Sequence, residues 1–472
     1  MELTQLLTSI PVYGNTFDVS INWIGRIIKW LCEIGAGVGV GIILFSLVLK
    51  MITLPFDVYQ RISMRKQNFQ MKANQEKMER LQKQYANDKE KYNQKLMEMY
   101  KENGISMMSS CLPMILSLII FIVAINAFNA FAQYSNIQNY NSMVNAYNQS
   151  IERYCPDLTE ENVTETADAN GFKYTLKGDD ADDYFYFEAV SQTAVPVGSR
   201  VSFFENSVDK VYLIDVEKVK ASALWTGGTI QVTDKTEGAT EAEKQANAIR
   251  AYFIEEGQKA VADVYQSDVK ENTKFLWIKN IWVTDASYKA PVLSYKDFEA
   301  EAKREDFKVG DSEVEYSSIS QYTNAYSESA YDLVTAKLDQ QKSASNGYYV
   351  LIVLSIGTIL LQQFVTMRSQ KEQQKYSTVD GQGAGQQKMM MIIMTGMFAI
   401  FSFMYSSAFS IYLTVSNVFS MLSTFVINKF VDKKMSKKEQ ELEQARYSNN
   451  TLSRIEKARQ AGKDSADKNR KN

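Results

Sequence analysis

A chain of 472 residues with net charge −3, 45% hydrophobic and with a mean hydropathy of −0.27, has the averages of a large soluble protein. Histidine is absent, which excludes Ser-His and Cys-His catalysis and HExxH metal sites together, and Cys32, Cys111 and Cys155 are too scattered for a CxxC, zinc or disulfide framework. No enzymatic activity and no cofactor are expected. The averages conceal clumping, however: the apolar residues gather into long uncharged runs, and runs of roughly 20 are what a bilayer of about 30 Å demands of a helix.

The N-terminal segment, residues 1–36, shows no basic n-region followed by an apolar core and a cleavage site, so targeting is expected to fall to the first span. Within it INWIGRIIKWLCEIGA sets Ile24, Ile27, Ile28 and Leu31 on one face, with Trp23 and Trp30 beside them and Arg26 and Lys29 opposite. Two readings fit: an amphipathic helix at the bilayer surface, or a linking helix packed on neighbouring spans. The first span is expected over 37–56, GVGVGIILFSLVLKMITLPF, with one cation, Lys50, toward its inner end. A lysine at the centre of a span costs roughly 2.5–3.5 kcal/mol, so it either snorkels to the interface or faces protein and water.

Beyond Pro55 the composition turns charged, with Lys and Arg in excess and apolar residues at helical spacing, and AsnAsp at 87 and 88 interrupts the pattern. Residues 57–104 therefore read as a helical hairpin, in which Met64, Met71, Met78, Met97 and Met99 offer adaptable contacts for varied apolar partners. An uncharged run over 105–132, with Asn126 and Asn129, is the second span. Residues 133–345 form an acidic, polar block; FKYTLKG, YFYFEAV, RVSFFEN and KVYLIDVEKV read as short strands and 241–267 as a helix, which makes a small α+β domain.

A third span follows at 346–367, with Gln362 and Gln363 at its inner end, then a loop over 368–387. Residues 388–430 are long enough to cross twice, with YSSA at the reversal, and a basic tail occupies 431–472. The chain thus reads as an α-helical polytopic membrane protein of five spans. Lysine- and arginine-rich segments stay in the cytoplasm, which puts hairpin and tail inside, and the N-terminus and acidic domain outside.

Read together, several stretches resemble the YidC/Oxa family of bacterial membrane-protein insertases: IILFSLVLKMITLPF, LQKQYANDKEKYNQKLMEMYKENG, the SSCLP entry to the second span, FLWIKNIWVTD at 275–285, YYVLIVLSIGTILLQQ, and the closing run from KMMMIIMTG to FVINKF. The resemblance implies a five-span insertase core with a cytoplasmic hairpin; the outer loop that the family keeps short is expanded here by two insertions, 133–274 and about 286–345, which flank FLWIKNIWVTD and hold the extracytoplasmic α+β domain. It places the family's conserved groove cation on Lys50, as lysine where arginine is usual, and adds Asn126, Gln362, Tyr412 and Asn417 as groove-lining candidates. It also implies a plasma-membrane protein that receives nascent membrane proteins in a hydrophilic, positively charged groove and releases them sideways into lipid. The basic tail is then a candidate contact for ribosomal RNA, and a Sec translocon a candidate partner. SerMet at 106 and 107 departs from the family's AsnPro, and the lipoprotein signal of many Gram-positive members is missing.

No GxxxxGK[ST] occurs, and the glycines at 35, 37, 39 and 41 suit close helix packing, so nucleotide hydrolysis is not expected. Two rival functions fit the spans. A small-solute transporter would show inverted repeats, and none is visible. A surface sensor or adhesin would use the spans only as anchors, leaving the polar residues within them dispensable.

Overall fold

The computed structural model describes residues 13–35, 37–102, 108–154, 163–168, 171–176, 184–188, 203–206, 209–232, 237–238, 240–369 and 382–431, with isolated positions between 433 and 444. The junction at 106 and 107, Cys155, the loop at 370–381 and most of the basic tail lie outside them, as do the side chains of Met64 and Cys111. The protein is mostly helical, and among the described residues four helical segments are long and apolar enough to cross a membrane: Val38–Ser63, Ile119–Glu152, Val350–Ser369 and Ser407–Val431. A further helix, Gln382–Met404, contributes a shorter apolar stretch, Thr395–Met404. Contacts divide the chain into two compact units.

One unit comprises 43–125, 351–402 and 410–472. Its first helix begins in the other unit and runs unbroken from Val38 to Gln84, through Pro55. Proline removes one intrahelical bond and crowds the preceding turn. Even so, the apolar residues continue past it at Val58 and Ile62, and Asp57 and Arg61 oppose each other's charge one turn apart. The helix stops at a turn in which the Asp88 amide donates to the Tyr85 carbonyl at 3.0 Å, and the Asp88 carboxylate then receives the Lys91 amide to cap the next helix, Lys89–Glu102. The two arms share a small core of Met78, Met99 and Tyr100, with Met71, Leu81 and Leu96 packed against it. Among the spans, Phe121 meets Phe398 edge-on at 4.7 Å, the hydroxyls of Ser355 and Ser402 are 3.1 Å apart, and Thr395 donates to Gln363 at 2.9 Å.

The other unit comprises 1–42, 126–350 and 403–409. Its spine is the second half of the helix Met108–Glu152. Although residues after Ala132 are polar on average, Ile137, Tyr140, Val144, Tyr147 and Ile151 recur at helical spacing and are all fully buried, so the helix continues well past the expected end of the span. Tyr140 packs on Phe298 and Tyr331, with centroids 4.7 and 4.9 Å away. The N-terminal segment threads into the same core: Asn148 exchanges two hydrogen bonds with the Tyr13 backbone, Asn141 donates to the Phe17 carbonyl, and Val19 bridges Phe307. A single antiparallel bridge thereby ties it to the edge of the two-stranded hairpin Asp306–Val309/Ser312–Glu315.

The helix Glu241–Val264 starts on a capping box of Thr240 and Glu243 and ends in a π turn, Tyr265–Val269. A five-stranded sheet is built from Val163–Asp168, Gly171–Leu176, Phe203–Asn206, Asp209–Asp215 and Tyr184–Glu188, in that spatial order. Its pairings are antiparallel except for that between Gly171–Leu176 and Phe203–Asn206.

The FLWIKNIWVTD stretch is neither helix nor strand. Asn346 holds it by donating to the Asn280, Val283 and Thr284 carbonyls while accepting from the Asn280 amide. In turn, the Val283 and Ile281 carbonyls accept from the Ser407 and Ala408 amides at 3.0 and 2.9 Å. These are the first two amides of the helix Ser407–Val431, which have no partner within it, so this stretch is that helix's N-terminal cap.

Candidate functional site

Because the first helix carries its apolar character to Ser63, Lys50 is the thirteenth residue of a 26-residue span rather than a residue near its end. At about 1.5 Å per residue that leaves it roughly 18–20 Å from either end of the apolar helix, and about 12–15 Å inside a hydrocarbon layer of about 30 Å, roughly twice the reach of a lysine side chain. Lys50, Asp57 and Arg61 stand seven and eleven residues along, which places all three on one stripe of the helix. Asp57 lies between the two cations and in electrostatic contact with both.

Arg61 is the best-anchored side chain of that stripe. One terminal nitrogen, Nη1, donates to Ser369 Oγ at 2.9 Å and to Asn428 Oδ1 at 2.8 Å, and the other, Nη2, to Thr424 Oγ1 at 2.8 Å. Asn428 also donates to Ser369 at 2.7 Å. Three helices are thus pinned by one guanidinium whose acceptors are all neutral. Sequence reasoning passed over Arg61 as one of many hairpin cations; its spacing of eleven from Lys50 was the available signal, while Ser369, Thr424 and Asn428 carry none.

Of the groove candidates, Gln362, Tyr412 and Asn417 fall in the same compact unit as Lys50. Tyr412 is buried. Gln362 donates to Thr366 at 3.4 Å, but its Oε1 and the Nδ2 of Asn417 are buried without a hydrogen-bond partner among the described residues. Buried amides rarely stay unpaired, and such atoms mark places where water or a ligand completes the bonding. Asn126 belongs to the other unit, where it is exposed. Of the hairpin methionines, Met78 and Met99 are spent on the hairpin's own core, Met71 packs beside it, and Met97 is 53% exposed.

In the other unit the helix Trp23–Ile34 is apolar on two sides. Ile28 and Leu31 are buried, while Trp23, Ile27, Trp30 and Ile34 form an exposed stripe. Among the described residues no group of His, Cys, Asp or Glu is arranged to hold a metal ion.

Comparison with known proteins matches residues 30–172 and 312–435, more than half of the chain, to the family described as 60Kd inner membrane protein. The match leaves out 173–311, which includes the FLWIKNIWVTD stretch. Curated relatives include the membrane protein insertase YidC of Clostridium perfringens, 34% identical over 116 residues, which are 25% of this chain and 44% of that protein. Others are the insertase YidC of Caldanaerobacter subterraneus, 35% identical over 98 residues, 21% of this chain and 46% of that protein, and that of Francisella philomiragia, 33% identical over 123 residues, 25% of this chain and 22% of that protein. The chain thus spans less than half the length of each of these relatives. No solved structure matches it.

Proposed function

Since the chain belongs to the 60Kd inner membrane protein family, the YidC/Oxa insertases, we propose that it is itself an insertase that receives nascent membrane proteins beside Lys50 and passes them sideways into lipid. The observation that carries this reading is the depth of Lys50. An ammonium at mid-span, too far from either interface to snorkel, requires water or protein polar groups around it, and an anchor has no need of one. The unpaired amide atoms of Gln362 and Asn417 support a hydrated surround. Moving a polar tail through hydrocarbon is opposed by the desolvation of each unpaired group; a wet cationic hollow lowers that cost and attracts acidic tails. No step requires a nucleotide.

In this reading the helix Gln382–Met404 is the fourth of five crossings, its described apolar part being Thr395–Met404. The N-terminal segment shares a core with the inserted domain, which supports their lying on one side, outside, with hairpin and tail inside. The stripe Trp23, Ile27, Trp30 and Ile34 then rests in the outer interface. Within the hairpin, Met97 rather than Met78 or Met99 is positioned to touch a substrate. The basic tail remains the contact proposed for a ribosome, and a Sec translocon a proposed partner.

Thiol accessibility tests the reading. With Cys32, Cys111 and Cys155 replaced, Lys50→Cys and Gln362→Cys should react with a membrane-impermeant maleimide added from the cytoplasmic side. Protection of both, with a control cysteine in the hairpin labelled, would leave no wet hollow for a substrate to enter.

A further inference from the structure

Beside the Arg61 cluster, the first and last helices of the same unit part to leave a cavity of about 610 Å³. Leu54 and Val58 form one wall and Phe419, Leu422, Val426 and Phe430 the other. Its rim is apolar and open: Leu422, Val426 and Phe430 are each more than half exposed. A spanning helix about 10 Å wide and 30 Å long would need several times this volume, so the space suits a single flexible chain.

Arg61 does not line the cleft itself but stands next to it along the first helix. Arg61 follows Val58 by one turn and bridges the two helices that form the walls. A guanidinium offers five N–H groups in a fixed fork. Both on Nη1 and one on Nη2 are taken by Ser369, Asn428 and Thr424. Nε–H and one Nη2–H find no acceptor among the described residues, and the Nε/Nη2 edge of a guanidinium is one that can grip two oxygens of one anion. The three acceptors that fix the fork are neutral; Asp57, one turn back, sets one negative charge against the two cations Arg61 and Lys50, so the stripe keeps a net positive charge. Depth selects the anion: Arg61 is the twenty-fourth residue of the span, about 34 Å along the helix from Val38, beyond a hydrocarbon layer of about 30 Å and level with the headgroups.

We propose that this cleft and Arg61 together bind one phospholipid of the leaflet on the hairpin's side, its phosphate gripped by Arg61 and one acyl chain lying between Leu54 and Val58 and the last helix. The apolar chain alone fits the space, the phosphate alone fits the fork, and a phospholipid carries both at this depth. This stands whether or not the protein is an insertase.

The test is retention of phosphatidylglycerol by the full-length protein in detergent, counted by native mass spectrometry. Wild type should keep one lipid per chain. Arg61→Gln should weaken retention about tenfold to a hundredfold, the worth of a charge-assisted pair. Arg61→Lys, which keeps the charge and loses the fork, should fall between. Ser423→Phe fills the cleft without touching Arg61 and should lose the lipid as Arg61→Gln does, so the result does not depend on one variant's folding. Equal retention by all four proteins overturns the site. Loss in Arg61→Gln alone, with inorganic phosphate competing as well as lipid, overturns it too, because the cleft would then have no part in binding.

Discussion

Replacing Lys50 with leucine separates a cation in a wet hollow from a cation tolerated in lipid. If the ammonium faced acyl chains, the exchange would trade a residue costing roughly 2.5–3.5 kcal/mol for one contributing about 0.3–0.6 kcal/mol, a gain of about 3–4 kcal/mol in stability. In a hydrated site shared with Asp57 that gain disappears, and what is lost is attraction for substrate. A carboxylate about 6 Å from the ammonium at an effective dielectric near 20 is held by about 2–3 kcal/mol, or roughly 30- to 150-fold in occupancy. With the full chain in vesicles and protease protection as readout, Lys50→Leu should lower insertion of a single-span substrate with an acidic tail by that factor. The same substrate with Asn and Gln in its tail should change less than about twofold, since no charge pair is involved. Thermal stability should stay level, and Lys50→Arg should insert both. A more stable Lys50→Leu protein that handles both substrates like wild type would refute the reasoning.

Three further outcomes follow from the geometry. Met78→Ala, in the hairpin core, should destabilise the hairpin by about 2–4 kcal/mol in hydrogen exchange, whereas Met97→Ala should leave exchange unchanged and reduce only substrate crosslinking to the hairpin. Gly257 faces the ring of fully buried Tyr147, so Gly257→Ala should lower the melting temperature despite a helix-propensity gain of about 1 kcal/mol. Tyr147→Phe, which removes a buried hydroxyl without a partner, should raise that temperature or leave it level. Burial pushes the Glu301 carboxyl up to about 7, with Asp297 adding to the shift and Asn136, Arg304 and Lys289 opposing it. The folded domain therefore holds a proton that the unfolded chain releases near 4.5, and stability is fully present below that pH and lost as pH rises through about 7. The loss is on the order of 3 kcal/mol, and Glu301→Gln should flatten this part of the melting curve, with the part due to Glu305, also pushed up to about 7 by burial, remaining.

The order of apolar runs, the hairpin and the turn near Asp88 were legible because each is written in local composition. Two helices run past the ends that composition gives them, and for one reason: periodicity, not average composition, decides where a helix stops. Composition ends the first span at Phe56, because Pro55 and Asp57 look like stops, whereas the helix runs through both and its apolar stretch reaches Ser63. Polar composition likewise hid the stripe Ile137, Tyr140, Val144, Tyr147 and Ile151, whose spacing of three and four continues the second span into the inserted domain. The partners of Arg61 are a different case. They lie 308 to 367 residues away, and serine, threonine and asparagine in spans have too many ordinary uses to be assigned from type alone.

The FLWIKNIWVTD stretch shows why a fragment between two insertions can be constrained more tightly than either. A helix starting inside protein has amides that water does not reach, and leaving each unpaired costs about 1–3 kcal/mol. Here the Val283 and Ile281 carbonyls supply the partners for Ser407 and Ala408, and Thr284 donates to the Tyr405 carbonyl at 2.9 Å. The stretch is itself held by Asn346, whose side chain bonds both the amide and the carbonyl of Asn280, by Asn280, whose side chain donates to the Pro291 carbonyl and accepts from the Trp282 amide, and by Asp285, which accepts from the Tyr348 amide at 2.7 Å. Residues 286–345 therefore leave and return at one clamped point. An insertion built on such a stem can grow or shrink without changing how the last helix begins, which is compatible with a family match that stops at 172 and resumes at 312.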